Sequence, residues 1–517
     1  MKTKGELTDV LYTQLLTLSK HQKYGLAQLC GDWGHKGGSI YNVRYSQFCH
    51  NMRELAKDSP VKYYDGCYYL FNGKIYEAVE NVVIEMAYNM LMEALEIAPM
   101  VSQTSIRKQV FMDVIRTYNL LVPHFDIVAF ENGVVDFGLG LKNPPVKPFS
   151  PEYHVTYYHP YKYEPRAKCT RWQNFLYEVL PDKNSRLILQ MFLGLGLVQR
   201  GDAYNVYEGK ASSSIELCLL LIGTGANGKS VIFNVACALF GKDRISKMDY
   251  ADLTADGDEG MRGRYPIKNA IFNWSSDTDV KKFGRKNSGM FKRIVSGEPV
   301  PMRALHQNIM ESGTVPYLIF NLNELPMPED ASMGFIRRLQ YVSFDVTIPK
   351  DRQDPDLAAR IIKEEISGVF NWVFQGMQEL RARRYQFPAA QASEKQLLLS
   401  LIGSRPVIAW WRAYRLRSSA EAKGEQGVWI SSKMLYESMV RFCKDNDLEE
   451  KDIPTLQKFG RTMAIELGFG KKRGAEGIIY LVYGLNRGDL NQRVVISSMI
   501  GVVEDNDRGE GFIKDDD

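Results

Sequence analysis

The sequence predicts an α/β protein in three parts: an α+β N-terminal region, a central core built on a strand, a glycine loop and a helix, and a small C-terminal domain. Three observations predict it. An apolar run from Leu217 to Ile222, bounded by glycine, reads as a buried strand, and after Gly228 the residues Val231, Ile232, Val235, Ala236 and Leu239 recur at helical spacing until Gly241 stops the helix. Residues Val61 to Tyr76 (VKYYDGCYYLFNGKIY) alternate around Asp65-Gly66 and Asn72-Gly73, as β-hairpins do. Near the C-terminus, two helical stretches precede GKKRGAEGIIYLVYGL, which reads as a hairpin with Lys471, Lys472 and Arg473 at its base.

Bulk properties exclude several classes. The 517 residues, 45 % of them hydrophobic, can build about three or four domains. The net charge is +4 on 65 basic and 61 acidic residues, so any nucleic-acid contact must come from local patches. Seven cysteines (Cys30, Cys49, Cys67, Cys169, Cys218, Cys237 and Cys443) form no CxxC pair and suit reduced thiols of a cytoplasmic protein. MKTKGELTDVLYTQ has no apolar h-region, and nowhere do eighteen apolar residues run together, so neither secretion nor membrane contact is expected.

In chain order, residues 1–118 form the α+β region, with helical spacing from Val79 to Ile97 and from Ile106 to Leu121. Its tyrosines suit either stacking on bases or plain sheet packing, and alternation favours the latter. Residues 119–205 follow, with Ala129 to Asp136, a strand-rich Tyr153 to Tyr163, and helices over Trp172 to Leu180 and Leu187 to Val198. This half shows no spaced acidic cluster of the kind a two-metal nucleotidyl transferase needs.

Residues 206–350 carry the chemistry. Gly223-Thr224-Gly225-Ala226-Asn227-Gly228-Lys229-Ser230 satisfies GxxxxGK[ST] between a strand and a helix. The glycines let backbone N–H groups turn inward around a phosphate, and the helix N-terminus adds its positive end. Lys229 is placed to reach the β- and γ-phosphates and the Ser230 hydroxyl to bind Mg²⁺, which makes this a nucleoside triphosphate site. A nucleotide-hydrolysing core also needs a carboxylate at the end of a second strand, and AIFNWSSDTD offers Asp277, with Asp279 close by. The segment 281–293 (KKFGRKNSGMFKR) is basic, as either a solvated face or a phosphate contact. Two strand-like runs, Gly297 to His306 and Gly313 to Leu322, bracket a polar tip, and Asn323 follows the second, where it can sense the γ-phosphate. Arg337 and Arg338 precede the apolar strand Tyr341 to Val346 and suit stabilisation of charge on a transferred phosphoryl group.

This order of parts resembles the helicase superfamily 3 ATPases, and within them the helicase half of phage, plasmid and poxvirus primase-helicases. The likeness rests on GTGANGKS, the acidic strand end near Asp277, FKRIVSGEPVPMRAL, NLNELP, and Arg337-Arg338 before YVSFDV. It extends through ENGVVD, FSPEYHVTYY and EISGVFNW, from about residue 120 to about residue 390. The resemblance implies an AAA+-like P-loop ATPase that takes ATP and Mg²⁺ and assembles as a homo-oligomeric ring, a hexamer in the usual form. Lys229, Ser230 and Asp277 would act in one subunit, and Arg337 or Arg338 from the next. A hairpin around His306, with Arg303 at its base, would enter the channel and move along one DNA strand 3′ to 5′. The family carries a glutamate where this chain has Ser-Ser-Asp, which leaves the Mg²⁺ carboxylate open between Asp277 and Asp279. The primase domain of many relatives is not recognisable, so a separate primase or polymerase is an expected partner.

Residues 351–400 are helical, with Ile361, Ile362, Ile366, Val369, Phe370 and Val373 on one stripe. Residues 405–490 place a helix capped by Ser431 and Ser432, a second helix from Thr455 to Gly468 and the basic hairpin in the order of a winged helix, with Lys458, Arg461, Lys471 and Lys472 facing DNA. Residues 491–517 form an acidic tail. The functional expectation is a replicative helicase of a phage or mobile element acting on single-stranded and forked DNA. Two other readings use the same motifs: a DNA-binding ATPase initiator or switch that remodels DNA without processive unwinding, and a small-molecule P-loop kinase.

Overall fold

The computed structural model describes residues 3–20, 38–64, 66–95, 111–122, 126–139, 143–197, 215–276, 283–284, 287–304, 309–311, 315–326, 332–388, 390–418, 422, 426–475, 477–484 and 489–498. The chain divides into two units, 1–165 and 166–517.

In the first unit, helix α1 (Lys4–Ser19) opens with a capping box: Thr3 Oγ1 accepts from the Glu6 N–H, and the Glu6 carboxylate accepts from the Thr3 N–H at 2.6 Å. Leu7, Leu11 and Leu15 share its buried face. After α2 (Gly38–Lys57), strands β1 (Val61–Tyr64), β2 (Cys67–Phe71) and β3 (Tyr76–Val79) form an antiparallel meander. The Asn72 side chain accepts from the N–H groups of Lys74 and Ile75 and so makes the second turn. Tyr68 is buried, whereas Tyr63, Tyr64 and Tyr69 are half-buried, and Tyr63 meets Tyr68 edge-on at 5.0 Å. Alternation has here built a one-sided sheet. Helix α3 (Asn81–Ala94) packs on α1, and a short α4 (Asp113–Tyr118) occupies part of the expected 106–121 helix, residues 106–110 lying outside the described set. A second sheet has the order β6 (Val146–Lys147), β5 (Gly133–Asp136), β4 (Ile127–Phe130), β7 (Tyr158–His159), with only the last pair parallel.

The second unit is organised around a five-stranded parallel sheet. Its members are β8 (Cys218–Ile222), β9 (Ile245–Ser246), β10 (Phe272–Ser275), β13 (Tyr317–Leu322) and β14 (Leu339–Ser343), in the spatial order β14-β8-β13-β10-β9. Every residue of β8 and β13 is buried, as expected of parallel strands covered on both faces. The sequence neighbours β13 and β14 thus lie on opposite sides of β8.

Helices α5 (Thr170–Val179), α6 (Lys183–Gly194) and α7 (Lys229–Phe240) all pack against the long α11 (Leu357–Ala382). Close approach of α6 and α11 rests on glycine: a Cβ on Gly376 would lie 2.3 Å from the Gln190 carbonyl oxygen. Between β9 and β13 run α8 (Tyr250–Thr254), α9 (Gly257–Gly263), α10 (Ser288–Val295) and a two-residue hairpin of β11 (Pro301–Met302) with β12 (Met310–Glu311). The expected pairing of 297–306 with 313–322 therefore differs from the structure. The hairpin returns through β12, and Tyr317–Leu322 is instead a core strand, because its unbroken apolar run needs burial on both faces.

Helices α12 (Gln391–Ile402) and α13 (Pro406–Ala413) lead to β15 (Val428–Ser431), α14 (Ser432–Asp445), α15 (Leu456–Arg461) and the antiparallel hairpin β16 (Lys471–Gly474) with β17 (Gly477–Val482). Ser431 caps α14, Thr455 caps α15, and β15 adds a third strand beside β17. One hydrophobic core is continuous from Leu318 and Phe320 of the sheet through Leu401 and Trp410 to Phe442, Phe459 and Tyr480. Among the described residues, no helix is long and apolar enough to cross a membrane.

Candidate functional site

Residues 223–230 leave the carboxyl end of β8 and enter α7, the edge at which open α/β sheets bind ligands. Several contacts fix this loop. Gly223 donates its N–H to the Leu322 carbonyl at 3.0 Å, and Phe344 donates to the Ile222 carbonyl at 2.7 Å. The Ile348 N–H reaches the Ala226 carbonyl at 2.8 Å, so the chain leaving β14 straps the loop. Gly225, Ala226 and Gly228 all have positive φ. Gly228, at 84°, packs on α5: a Cβ there would lie 2.6 Å from Phe175 Cζ.

Lys229 is 6 % exposed, and its ammonium donates to the Gly223 carbonyl. Among the described residues no carboxylate pairs with it. Burial lowers its pKa below the ordinary lysine value. A buried cation held by one neutral carbonyl is unfavourable alone, and an anion brought into the loop would match it. Asn227 is 3 % exposed, and its Nδ2 has no hydrogen-bond partner, being pressed over Gly223. Thr224, Ala226 and Ser230 are exposed, so the mouth of the loop faces solvent. These features fit a phosphate group.

Asn323 is exposed in the bend after β13. Leu322 faces Ile222 in the ladder, so Asn323 stands beside Gly223. Asp277 and Asp279 lie outside the described residues, which end in this segment at Ser276. The polar Asn273 inside β10 is fully buried. Its side chain accepts from Ser246 Oγ at 2.8 Å and the Met248 N–H at 2.9 Å, and donates to the Met248 carbonyl at 2.8 Å. Neighbouring Trp274 donates to Asn321 Oδ1 at 3.0 Å.

Two family models match the sequence, one described as a family of unknown function (DUF5906) over residues 221–338 and one as D5 N terminal like over residues 52–181. The first spans the segment from the end of β8 to Arg338. The second reaches back to residue 52, into the region for which sequence alone assigned no role. No curated protein matches the chain. Among solved structures, an A-form apo structure of the NrS-1 C-terminal region is 10 % identical, covers 83 % of this chain and 98 % of its own, and has a TM-score of 0.41. An apo structure of NrS-1 residues 305–718 is 9 % identical, with coverages of 83 % and 98 % and a TM-score of 0.38.

The two neighbouring arginines differ. Arg338 is 8 % exposed and donates to Gly334, to Ser296 at 2.9 Å and to Glu216 at 2.8 Å. Arg337 is exposed and touches Glu216 at 2.9 Å. Both precede β14, while the glycine loop follows β8, its ladder partner. About six strand residues therefore separate them, roughly 20 Å, so neither reaches the loop of its own chain.

Arg303 follows β11, ion-paired with Asp258 at 2.5 Å, and His306 lies outside the described residues. Lys458 and Arg461 are exposed on α15, one turn apart, and Lys471, Lys472 and Arg473 are exposed on β16, with Lys472 4.0 Å from the Trp429 ring centre. Of the basic segment, Lys281, Lys282, Arg285 and Lys286 lie outside the described residues, and Lys292 donates to Ser332 Oγ. Among the described residues no group of His, Cys, Asp and Glu could hold a metal. Burial raises the Cys169 and Cys443 thiols to about 12, which leaves them inert.

Sequence reasoning missed the strap from Phe344 to Ile348 and the packing of α5 on Gly228. Neither carries a local motif, since both act through backbone and aliphatic contacts from distant segments.

Proposed function

We propose that this chain is an ATP-driven, ring-forming DNA helicase of the superfamily 3 type. In this reading it moves 3′ to 5′ on single-stranded DNA and opens forks during replication of a phage or mobile element, in the host cytoplasm. The observation that carries the reading is the buried, unneutralised Lys229 between β8 and α7. ATP supplies the phosphoanhydride bond, and Mg²⁺ supplies charge that offsets its oxygens. Lys229 and the loop N–H groups hold the phosphates, and Ser230 with Asp277 or Asp279 holds the ion. Asn323, beside Gly223, orients the attacking water. Arg337 is exposed and out of reach of its own loop, which supports a role on the neighbouring subunit's nucleotide in a hexamer. The β11–β12 hairpin with Arg303 and His306 meets the strand in the channel. Lys458, Arg461, Lys471 and Lys472 belong to a winged-helix-like module that meets duplex DNA, and a separate primase or polymerase completes the machinery.

That exposed basic face also favours a second reading, an initiator that binds duplex DNA and remodels it without unwinding. Strand displacement on a forked duplex with ATP and Mg²⁺ separates the two. The helicase reading expects displacement by the wild type and none by Lys229→Ala. ATP turnover stimulated by DNA, without displacement, favours the initiator, and a stable monomer indifferent to DNA defeats both.

A further inference from the structure

Arg264 is 2 % exposed, yet among the described residues no carboxylate pairs with it. Its guanidinium is spent on backbone. One terminal nitrogen donates to the Ala255 carbonyl at 2.6 Å and reaches the Leu253 carbonyl at 3.4 Å, while Nε donates to the Pro301 carbonyl at 3.3 Å. It therefore joins the exit of α8 to the first residue of the β11–β12 hairpin. Space for it is reserved, because a Cβ on Gly260 would lie 2.1 Å from the Ala255 carbonyl oxygen and 3.1 Å from the guanidinium.

Ties run outward on both sides of this node. Towards the sheet, Asn273 of β10 grips both backbone groups of Met248, immediately before α8. Towards the hairpin, Arg303 donates its N–H to the Met261 carbonyl at 3.0 Å, and its guanidinium meets Asp258 of α9. Bonded contacts thus run without a gap from the strand that leads to Asp277 to the base of the hairpin.

Resting on the helicase reading above, we propose that Arg264 is a positioning residue that, with Asp258, docks the hairpin onto the nucleotide-side strand and couples ATP turnover to DNA. A planar fork spans three carbonyls in fixed directions, whereas a lysine ammonium on a flexible stem cannot hold the same three. Arg264→Lys keeps the charge and loses the geometry. Asp258→Asn, at a half-exposed position, removes the charge that holds Arg303 and Arg262 and spares the core.

The test measures ATP turnover by the full chain with and without single-stranded DNA, over a range of DNA concentrations. Arg264→Lys is expected to keep basal turnover and the KM for ATP within about twofold of wild type, while stimulation by DNA falls at least tenfold. Asp258→Asn is expected to raise the DNA concentration for half-maximal stimulation, with basal turnover unchanged. If Arg264→Lys does not fold, Asp258→Asn alone decides. Stimulation equal to wild type in the folded variants overturns the proposal and leaves the helicase reading standing. A wild type whose turnover ignores DNA overturns that reading and this proposal with it.

Discussion

Arg337 and Arg338 are chemically identical neighbours with opposite surroundings, and their substitution effects should diverge accordingly. Arg338→Ala removes the buried guanidinium that bonds Gly334, Ser296 and Glu216, while Glu216 keeps Arg337, and is expected to cost about 2 kcal/mol of stability. A lowered melting temperature checks this. Arg337→Ala removes an exposed group and should leave the melting temperature unchanged, yet lower ATP hydrolysis by about 10³-fold if it serves the adjoining subunit. Equal turnover in that variant would remove Arg337 from the site. The sequence singled out both arginines but not the difference between them, because Ser296, Gly334 and Glu216 come from separate segments. The reverse holds for Asn273: it reads as a blemish in an apolar strand, and its three hydrogen bonds show it tying β10 to the chain before α8.

At the scale of elements, the loop between β8 and α7 was fully legible, since glycine spacing, apolar run and helical periodicity agree there. What the sequence left open is what the loop leans on. Gly228 serves two needs, a positive φ and contact with Phe175, so Gly228→Ala should shift α5 or the loop and reduce nucleotide affinity at least tenfold. Calorimetric titration with a non-hydrolysable ATP analogue checks it, and wild-type affinity would show that α5 yields freely. The hairpin was recognised but paired to the wrong partner. Strands of two residues, such as β11 and β12, carry too little alternation to register, whereas the longer apolar run of β13 draws attention.

For the whole molecule, one core is continuous from the parallel sheet to Tyr480, through the helices and hairpin that the sequence reads as a small C-terminal domain. Its basic face is exposed and should act through phosphates. Replacing Lys471 and Lys472 together by alanine is expected to lower the salt dependence of duplex binding by about two in the slope of log K against log salt. An unchanged slope would take the hairpin off the DNA. The placement of β8 also bears on synthesis. Its two ladder neighbours, β13 and β14, are encoded far downstream, so a nascent chain that has just left the ribosome with β8 complete carries two open, wholly apolar strand edges. Chaperone occupancy should therefore peak on chains halted before Leu339 and fall once β14 has emerged, and truncation within that window should yield aggregates rather than a smaller folded protein.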